Sequence, residues 1–504
     1  MEVYLAGYNV DAGVLKEMEN LSGKREDLTP EVLSAAYARI SRDARPINEI
    51  RRSAREEVEK TRRSNSTIIF KMGHHSVAEH AVFNLDILGV SRLAMEELEK
   101  FRLCSYTEKS QRYITLDKDF VIPEEIKGTA CEKIFTDMVQ EQNAAYLTFF
   151  EKLKGHVFGK HAELARDQKN HALLEGWAKE DARYITALAT GSQVGETINA
   201  RNLELLLRRF ASHPLAEIRQ LGRAIYEKIA DVAPSIVIFH KANDRDLKTY
   251  PELRKTVSGI TGGIFPEATD REARLVECPE DGDTAVAASL LHSSSDLSYD
   301  QCRTIAERLT DEEKMDIFKT AWSNMQFYDS MPREFEYANL TFDVVLSSAC
   351  FGQLKRHRMA TITSQPYDPA LGVTIPESIR EAGLESLFAG IVDKTNKAYN
   401  IINKEVPLAA PYILTNAHRK RVLIRVNARE LYHIARLRED AHAQWDIQNV
   451  SRSMSAQAKQ VMPLAFGLIC GKDRYSEVYR DIFGSLPKVT EIALPGARSI
   501  KEVT

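Results

Sequence analysis

Apolar and polar positions run through the same succession twice along this chain. Val3-Tyr4-Leu5-Ala6-Gly7 is a short apolar strand, followed by a helix from Pro30 to Ile40, where Pro30 behind Thr29 suits an early helical position. The pair recurs as Ala273-Arg274-Leu275-Val276-Glu277 and Thr284 to Leu291. Next come Ala81 to Leu88 and Ala338 to Leu346, whose β-branched and aromatic residues partly alternate, as strands do. Each leads directly into a helical stretch, Ser91 to Phe101 and Ser347 to Lys355. The pattern predicts an α/β (α+β) unit present in tandem, a mixed sheet with flanking helices, in a pseudo-dimeric chain.

Between the copies, Ala242-Asn243-Asp244-Arg245-Asp246 is polar and Thr256 to Gly263 is glycine-rich, which reads as a linker. A phosphate loop at Gly259 to Gly263 would need a Gly-Lys-Ser/Thr ending and a flanking strand, and neither is present. The expected division is a first repeat over 1–240, a linker over 241–270 and a second repeat over 271–504. That agrees with length, since 504 residues exceed one typical domain and fit two of roughly 200–250 residues.

Composition narrows the function classes. With 68 basic and 72 acidic residues the net charge is -4, so no global basic field argues for nucleic acid, and any phosphate must be met by local arginines. Hydrophobic residues at 43% and charged residues at 28% suit a globular chain with a sizeable core. No apolar run reaches the ~18–20 residues of a membrane span. The start, Met1-Glu2-Val3-Tyr4, lacks the basic flank and apolar region of a secretion signal, so the expected compartment is the cytoplasm. Six cysteines without a CxxC pair suit reduced, mostly buried thiols, and Cys104 reads as core filling rather than a reactive group.

The repeat carries chemistry as well as pattern. Lys100-Phe101-Arg102 through Ser110-Gln111-Arg112-Tyr113 and Arg356-His357-Arg358 through Gln365-Pro366 are two decayed copies of one motif, each keeping what the other lost. From Arg102 seven residues lead to Ser110; from Arg358 seven lead to Pro366. Further on, Ala182-Arg183-Tyr184 and Asn199-Ala200-Arg201 of the first copy match Ala410-Pro411-Tyr412 and Asn427-Ala428-Arg429 of the second, sixteen residues separating Arg183 from Asn199 and Pro411 from Asn427. His213 to Arg219 matches His442-Ala443-Gln444-Trp445-Asp446-Ile447.

These motifs resemble the flavin-dependent thymidylate synthases, whose signature is Arg-His-Arg, seven residues, then Ser. The segment Gly73 to Phe83, with His74, His75, Glu79 and His80, resembles that family's histidine segment; its spacing is one residue too long for an inverted zincin, so no metal is expected. The resemblance implies that Arg112 and Arg183 meet a nucleotide phosphate, where the second copy has Asp368 and Pro411. Arginine suits that task because its planar fork pairs two oxygens at once. Ser110 and Glu108 then stand at the catalytic positions near pyrimidine and flavin, Ser110 as a positioning group, with Tyr113 beside them on the substrate. Gln353 reads the uracil edge through an amide that both donates and accepts, where the first copy has Glu97. Arg356, His357 and Arg358 face the flavin, Arg438 contacts the nucleotide, and His74 is a flavin-side histidine replaced by Met331 in the second copy. Asn427 and Arg429 are expected on the cofactor, although retention of the motif in both copies equally suits helix capping by asparagine.

The family implied is a homotetramer with sites where subunits meet. The sorting of ligands between copies implies a fused pseudo-dimer with one surviving type of shared site, assembling as a homodimer into a pseudo-tetramer. The implied activity is methylation of dUMP, or a similar pyrimidine nucleotide, to dTMP, with FAD as cofactor and NADPH and methylenetetrahydrofolate as co-substrates. The alternatives are a related flavin-dependent pyrimidine modification such as hydroxymethylation, or a non-catalytic flavin or nucleotide sensor.

Overall fold

The computed structural model describes residues 1–11, 28–39, 43–66, 69, 74–112, 119–264 and 273–488. In chain order the first repeat contributes β1 (Glu2–Tyr8), α1 (Glu31–Arg39), β2 (Val82–Ser91), α2 (Arg92–Leu98), β3 (Ser105–Glu108), α3 (Cys131–Lys160), α4 (His171–Ala182), β4 (Gly191–Asn199), α5 (Ala200–Ala211) and α6 (Ala216–Ile229). After α7 (Asp244–Thr261) the second contributes β5 (Ala273–Glu277), α8 (Gly282–Ser293), β6 (Asn339–Ser347), α9 (Ser348–Leu354), β7 (Thr361–Ser364), α10 (Glu385–Glu405), β8 (Arg419–Asn427), α11 (Ala428–Arg438) and α12 (Trp445–Val461). The sheet orders are β1-β2-β4-β3 and β5-β6-β8-β7, one topology twice, which bears out the tandem α/β expectation. Every described pairing is antiparallel, so the strand directions differ from the mixed sheet expected. An antiparallel sheet with one packed face needs only alternation, and β4 and β8 bury Ser192, Val194, Glu196, Ile198 and Lys420, Val422, Ile424, Val426 in turn.

The turn from strand to helix is built alike in both copies. Ser91 ends β2 and accepts from Ala94 N; Ser347 ends β6 and accepts from Cys350 N, each capping the helix that carries the signature. A buried carboxylate then fixes each cap. Glu217 of α6 receives Ser91 N and Oγ, both at 2.7 Å, and Asp446 of α12 receives Ser347 Oγ at 2.5 Å. β2 also contains Gly89 at φ +69, where its register against β4 shifts, a backbone that other residues rarely adopt.

The chain divides into two compact units, residues 1–266 with 375–416, and residues 267–374 with 417–504. In the first unit α10, from the second repeat, packs antiparallel on its counterpart α3: Lys394 pairs with Glu141 and Phe388 meets Phe149 edge-on at 5.8 Å. Gln142 Nε2 donates to Thr395 Oγ1 and Ile413 O, each at 2.9 Å. Beside them Ala187 and Thr415 form an antiparallel bridge. These two residues stand 228 apart, the interval from Asn199 to Asn427, so equivalent positions of the two repeats pair with each other. The second unit is built around Trp322, Phe318, Phe335, Phe342 and Phe466, all wholly buried.

The expected linker is largely helical. Asn243 accepts from Asp246 N while Asp246 accepts from Asn243 N, a capping box that starts α7, and no residue of that helix is buried. No described helix is long and apolar enough to cross a membrane.

Candidate functional site

In the first unit β3 delivers Glu108 and the loop after it delivers Ser110, Gln111 and Arg112. Glu108 lies in a buried ion pair: Arg92 Nη1 reaches its two oxygens at 3.1 and 3.2 Å, and Ser192 Oγ donates at 3.2 Å. A carboxylate so held is an anchor for the loop rather than an available base. Ser110 Oγ accepts from Arg112 N at 3.3 Å. Arg112 Nε meets the carboxylate of Glu180, and Arg183 Nε donates to the carbonyl of that residue at 3.2 Å, so one glutamate locates both guanidiniums. Arg183 is buried, and its Nη2 has no hydrogen-bond partner. Burial pulls its pKa down, opposed by Tyr184 and Glu180 and aided by Arg112 and Arg92. Three guanidiniums therefore converge here, with Glu108 and Glu180 among the carboxylates bound to them, and Arg183 Nη2 is the donor left for an outside acceptor. Tyr113 lies outside the described residues.

The first copy's counterpart of the glutamine and Arg-His-Arg set is closed on itself. Glu97 pairs with Lys100, His213 approaches it at 3.7 Å, and Phe101 packs edge-on against Phe210. Burial pushes His213 down to about 4. His74 is exposed at the start of a 3₁₀ turn over His75–His80. Within that turn Glu79 pairs with Arg201, and the His80 ring meets Tyr37 edge-on at 4.5 Å.

In the second unit Gln353 lies in the last turn of α9, and the turn beyond the helix exposes Arg356 and Arg358 while burying His357 between them. His357 Nε2 accepts from Arg438 Nε at 2.9 Å, which makes its other nitrogen the protonated one in the neutral ring. That Nδ1 lies 3.6 Å from Glu430, and the His433 ring stands 5.9 Å away at 75°. Burial, then the charge of Arg438, pushes His357 down to about 3. Arg438 Nη2 also donates to Gln353 O at 3.3 Å, and Arg356 Nε donates to Gly352 O at 3.2 Å. Gln353 Nε2 donates to Gln444 Oε1 at 3.3 Å, and that oxygen also accepts from Asp446 N and Ile447 N.

The Asn-Ala-Arg segments do the same structural work in both copies. Asn199 caps α5 through Asn202 N and Asn427 caps α11 through Glu430 N. Arg429 binds Met331 O at 2.7 Å and Glu336 at 3.0 Å, as Arg201 binds Glu79. The structure thus brings Glu108, Ser110, Arg112 and Arg183 together in one unit and Gln353, Arg356, His357, Arg358 and Arg438 together in the other.

Sequence reasoning missed Arg92, Gln111, Glu180, Glu430 and Gln444 as parts of these clusters. For Gln444 a signal existed, since Leu215 replaces it in the copy that also lost Gln353. Arg92 and Glu180 sit on ordinary helix positions and carry none.

Comparison with known proteins follows the same division. A UPF0159 protein of Chlamydia muridarum is 24% identical over 422 residues, covering 79% of this chain and 78% of its own length. A flavin-dependent thymidylate synthase of Pyrococcus furiosus is 31% identical over 206 residues, covering 37% of this chain and 75% of its own. Among solved structures, a UMP/dUMP methylase from Streptomyces cacaoi bound with 5-Br dUMP has 17% identity and a TM-score of 0.33, covering 47% of this chain and 92% of its own. The flavin-dependent thymidylate synthase of Helicobacter pylori complexed with FAD and dUMP has 19% identity and a TM-score of 0.27, covering 47% and 100%. The family model of the thymidylate synthase complementing proteins matches residues 26–235 and again residues 274–464, and the chain belongs to this family of flavin-dependent thymidylate synthases.

Proposed function

We propose that the protein methylates dUMP to dTMP, with methylenetetrahydrofolate supplying the one-carbon unit, NADPH the reducing equivalents and FAD as bound cofactor. The observation that carries this is Arg183, buried beside Arg112 with a donor that no protein acceptor meets. A buried unsatisfied donor costs about 1–3 kcal/mol, and a nucleotide phosphate supplies the missing acceptor. Arg112 and Arg183 then bind the phosphate, and Ser110 positions the nucleotide beside them, with Tyr113 assigned to the same substrate.

In the second unit Gln353 has its Nε2 committed to Gln444, which leaves its carbonyl oxygen to accept from an imide N–H such as that of uracil. Arg438 holds Gln353 and His357 in place, and is assigned to the nucleotide through them. Exposed Arg356 and Arg358 fit the pyrophosphate of FAD, with the turn between them fixed by His357; Asn427 and Arg429 are assigned to the same cofactor, and His74 is the flavin-side histidine of the first repeat. When bound, FAD supplies the hydride and one-carbon chemistry, while these side chains bind and orient. Each ligand set is incomplete alone, and the reading includes homodimerisation of the fused chain into a pseudo-tetramer.

The test is the purified chain's flavin absorbance and FAD-to-chain ratio, followed by chromatography for dTMP after incubation with dUMP, methylenetetrahydrofolate and NADPH. Bound FAD with dTMP formed only when all three are present supports the reading. Nucleotide binding without turnover makes the chain a binding protein, and absence of both flavin and nucleotide overturns the site assignment.

A further inference from the structure

Between Ser110 and Arg112 stands Gln111, a side chain only 7% exposed. Its Oε1 accepts from Asn416 Nδ2 at 3.2 Å. Asn416 is wholly buried, and the same Nδ2 donates to Arg183 O at 3.1 Å and Thr186 Oγ1 at 2.9 Å. A backbone carbonyl can only accept, so the Asn416 amide must turn its nitrogen this way. Gln111 must then face Asn416 with its oxygen, which sends its Nε2 to the other side. That nitrogen is buried without a hydrogen-bond partner, as is Arg183 Nη2. Two residues tied to one asparagine thus each hold out a donor that the protein leaves unmet, next to the guanidinium of Arg112. An acceptor-only ligand is what such an arrangement takes.

We infer that Gln111 is a further phosphate-binding residue of the nucleotide site and that Asn416, contributed by the second repeat, is the positioning residue that aims it. This rests on the phosphate reading of Arg112 and Arg183 and extends it to a neutral donor. Asn416 has Leu188 as its counterpart in the first repeat, 228 residues earlier, so the device exists in one copy only.

The experiment is calorimetric titration of the full-length protein with dUMP and with deoxyuridine, which lacks the phosphate. Gln111→Leu should weaken dUMP about 10-fold, the worth of one hydrogen bond to a charged acceptor, and leave deoxyuridine within about twofold. Asn416→Ala should weaken dUMP similarly and add little on top of Gln111→Leu, because a residue acting through another is not additive with it. Thermal melts identify any variant that loses its fold, in which case Gln111→Leu alone decides. Arg112→Ala is measured in parallel. If Arg112→Ala loses dUMP while Gln111→Leu does not, or if Gln111→Leu weakens both ligands equally, the inference is overturned and the phosphate reading stands. If Arg112→Ala also keeps dUMP, the phosphate reading itself fails.

Discussion

Arg183 and His357 are both buried, and burial acts on each in the same sense, against the charged form. The consequences differ because arginine keeps its proton and histidine does not. A permanently charged Arg183 wants an anion, so Arg112→Ala, which removes its neighbour, should weaken dUMP by roughly 30–150-fold, a loss of about 2–3 kcal/mol. Arg166→Ala, at an exposed guanidinium on the same unit, should leave the titration unchanged. His357 is held neutral in the fold at about 3 against an ordinary 6.5. Unfolded chains therefore bind a proton that folded chains refuse between those values, so its contribution is complete above pH 6.5 and is lost as pH falls toward 3. Unfolding by urea at pH 8 and pH 5 should show a loss of about 2 kcal/mol from this group at pH 5. Arg438, Glu430 and His433 face it and stay in place, so His357→Gln, which can still accept from Arg438, should flatten that part of the profile; an unchanged slope would exclude His357 as its source.

At the scale of elements, the places where sequence and structure agree are those where short-range signals suffice. The starts of α1, α2 and α9 follow from Thr29-Pro30 and from the serines that end β2 and β6. The linker differs because Gly259, Gly262 and Gly263 drew attention to its end, while the Asn243 and Asp246 capping box that starts a helix was equally present in the sequence. Strand β4 hides a different exception. Glu196 stands where β8 has Ile424, buried in an alternating strand that otherwise reads as core. Burial, opposed by Tyr106 and aided by Glu99, pushes its carboxyl up to about 8. The folded state therefore keeps a proton that the unfolded chain releases, and stability falls as pH rises from about 4.5 to about 8. Glu196→Gln should remove that decline, so that its melting temperature exceeds the wild type's at pH 8 and approaches it at pH 5. The opposite order would mean that the ionised carboxylate is the form the fold uses.

For the whole molecule, the tandem order and the split ligand sets were legible because they rest on residue identity at fixed intervals. The exchange of residues 375–416 into the unit of the first repeat was not legible, since α3 and α10 differ in spacing from the flanking motifs and no local pattern names their partner. The exchange has a consequence for a shortened chain. Residues 1–266 alone would lose α10, exposing the face of α3 that carries Phe149 and Gln142, and would leave Ala187 without Thr415. Because Ala187 and Thr415 are equivalent positions and the α3–α10 pairing is antiparallel, a second copy of residues 1–266 presents its own α3 and Ala187 in matching orientation. A self-complementary interface of this kind closes as a two-fold dimer. Analytical ultracentrifugation of residues 1–266 should therefore find a dimer that dissociates to monomer when residues 375–416 are supplied in trans and bind. A stable monomer with the melting temperature of the full chain would show that α10 contributes little to the unit in which it lies.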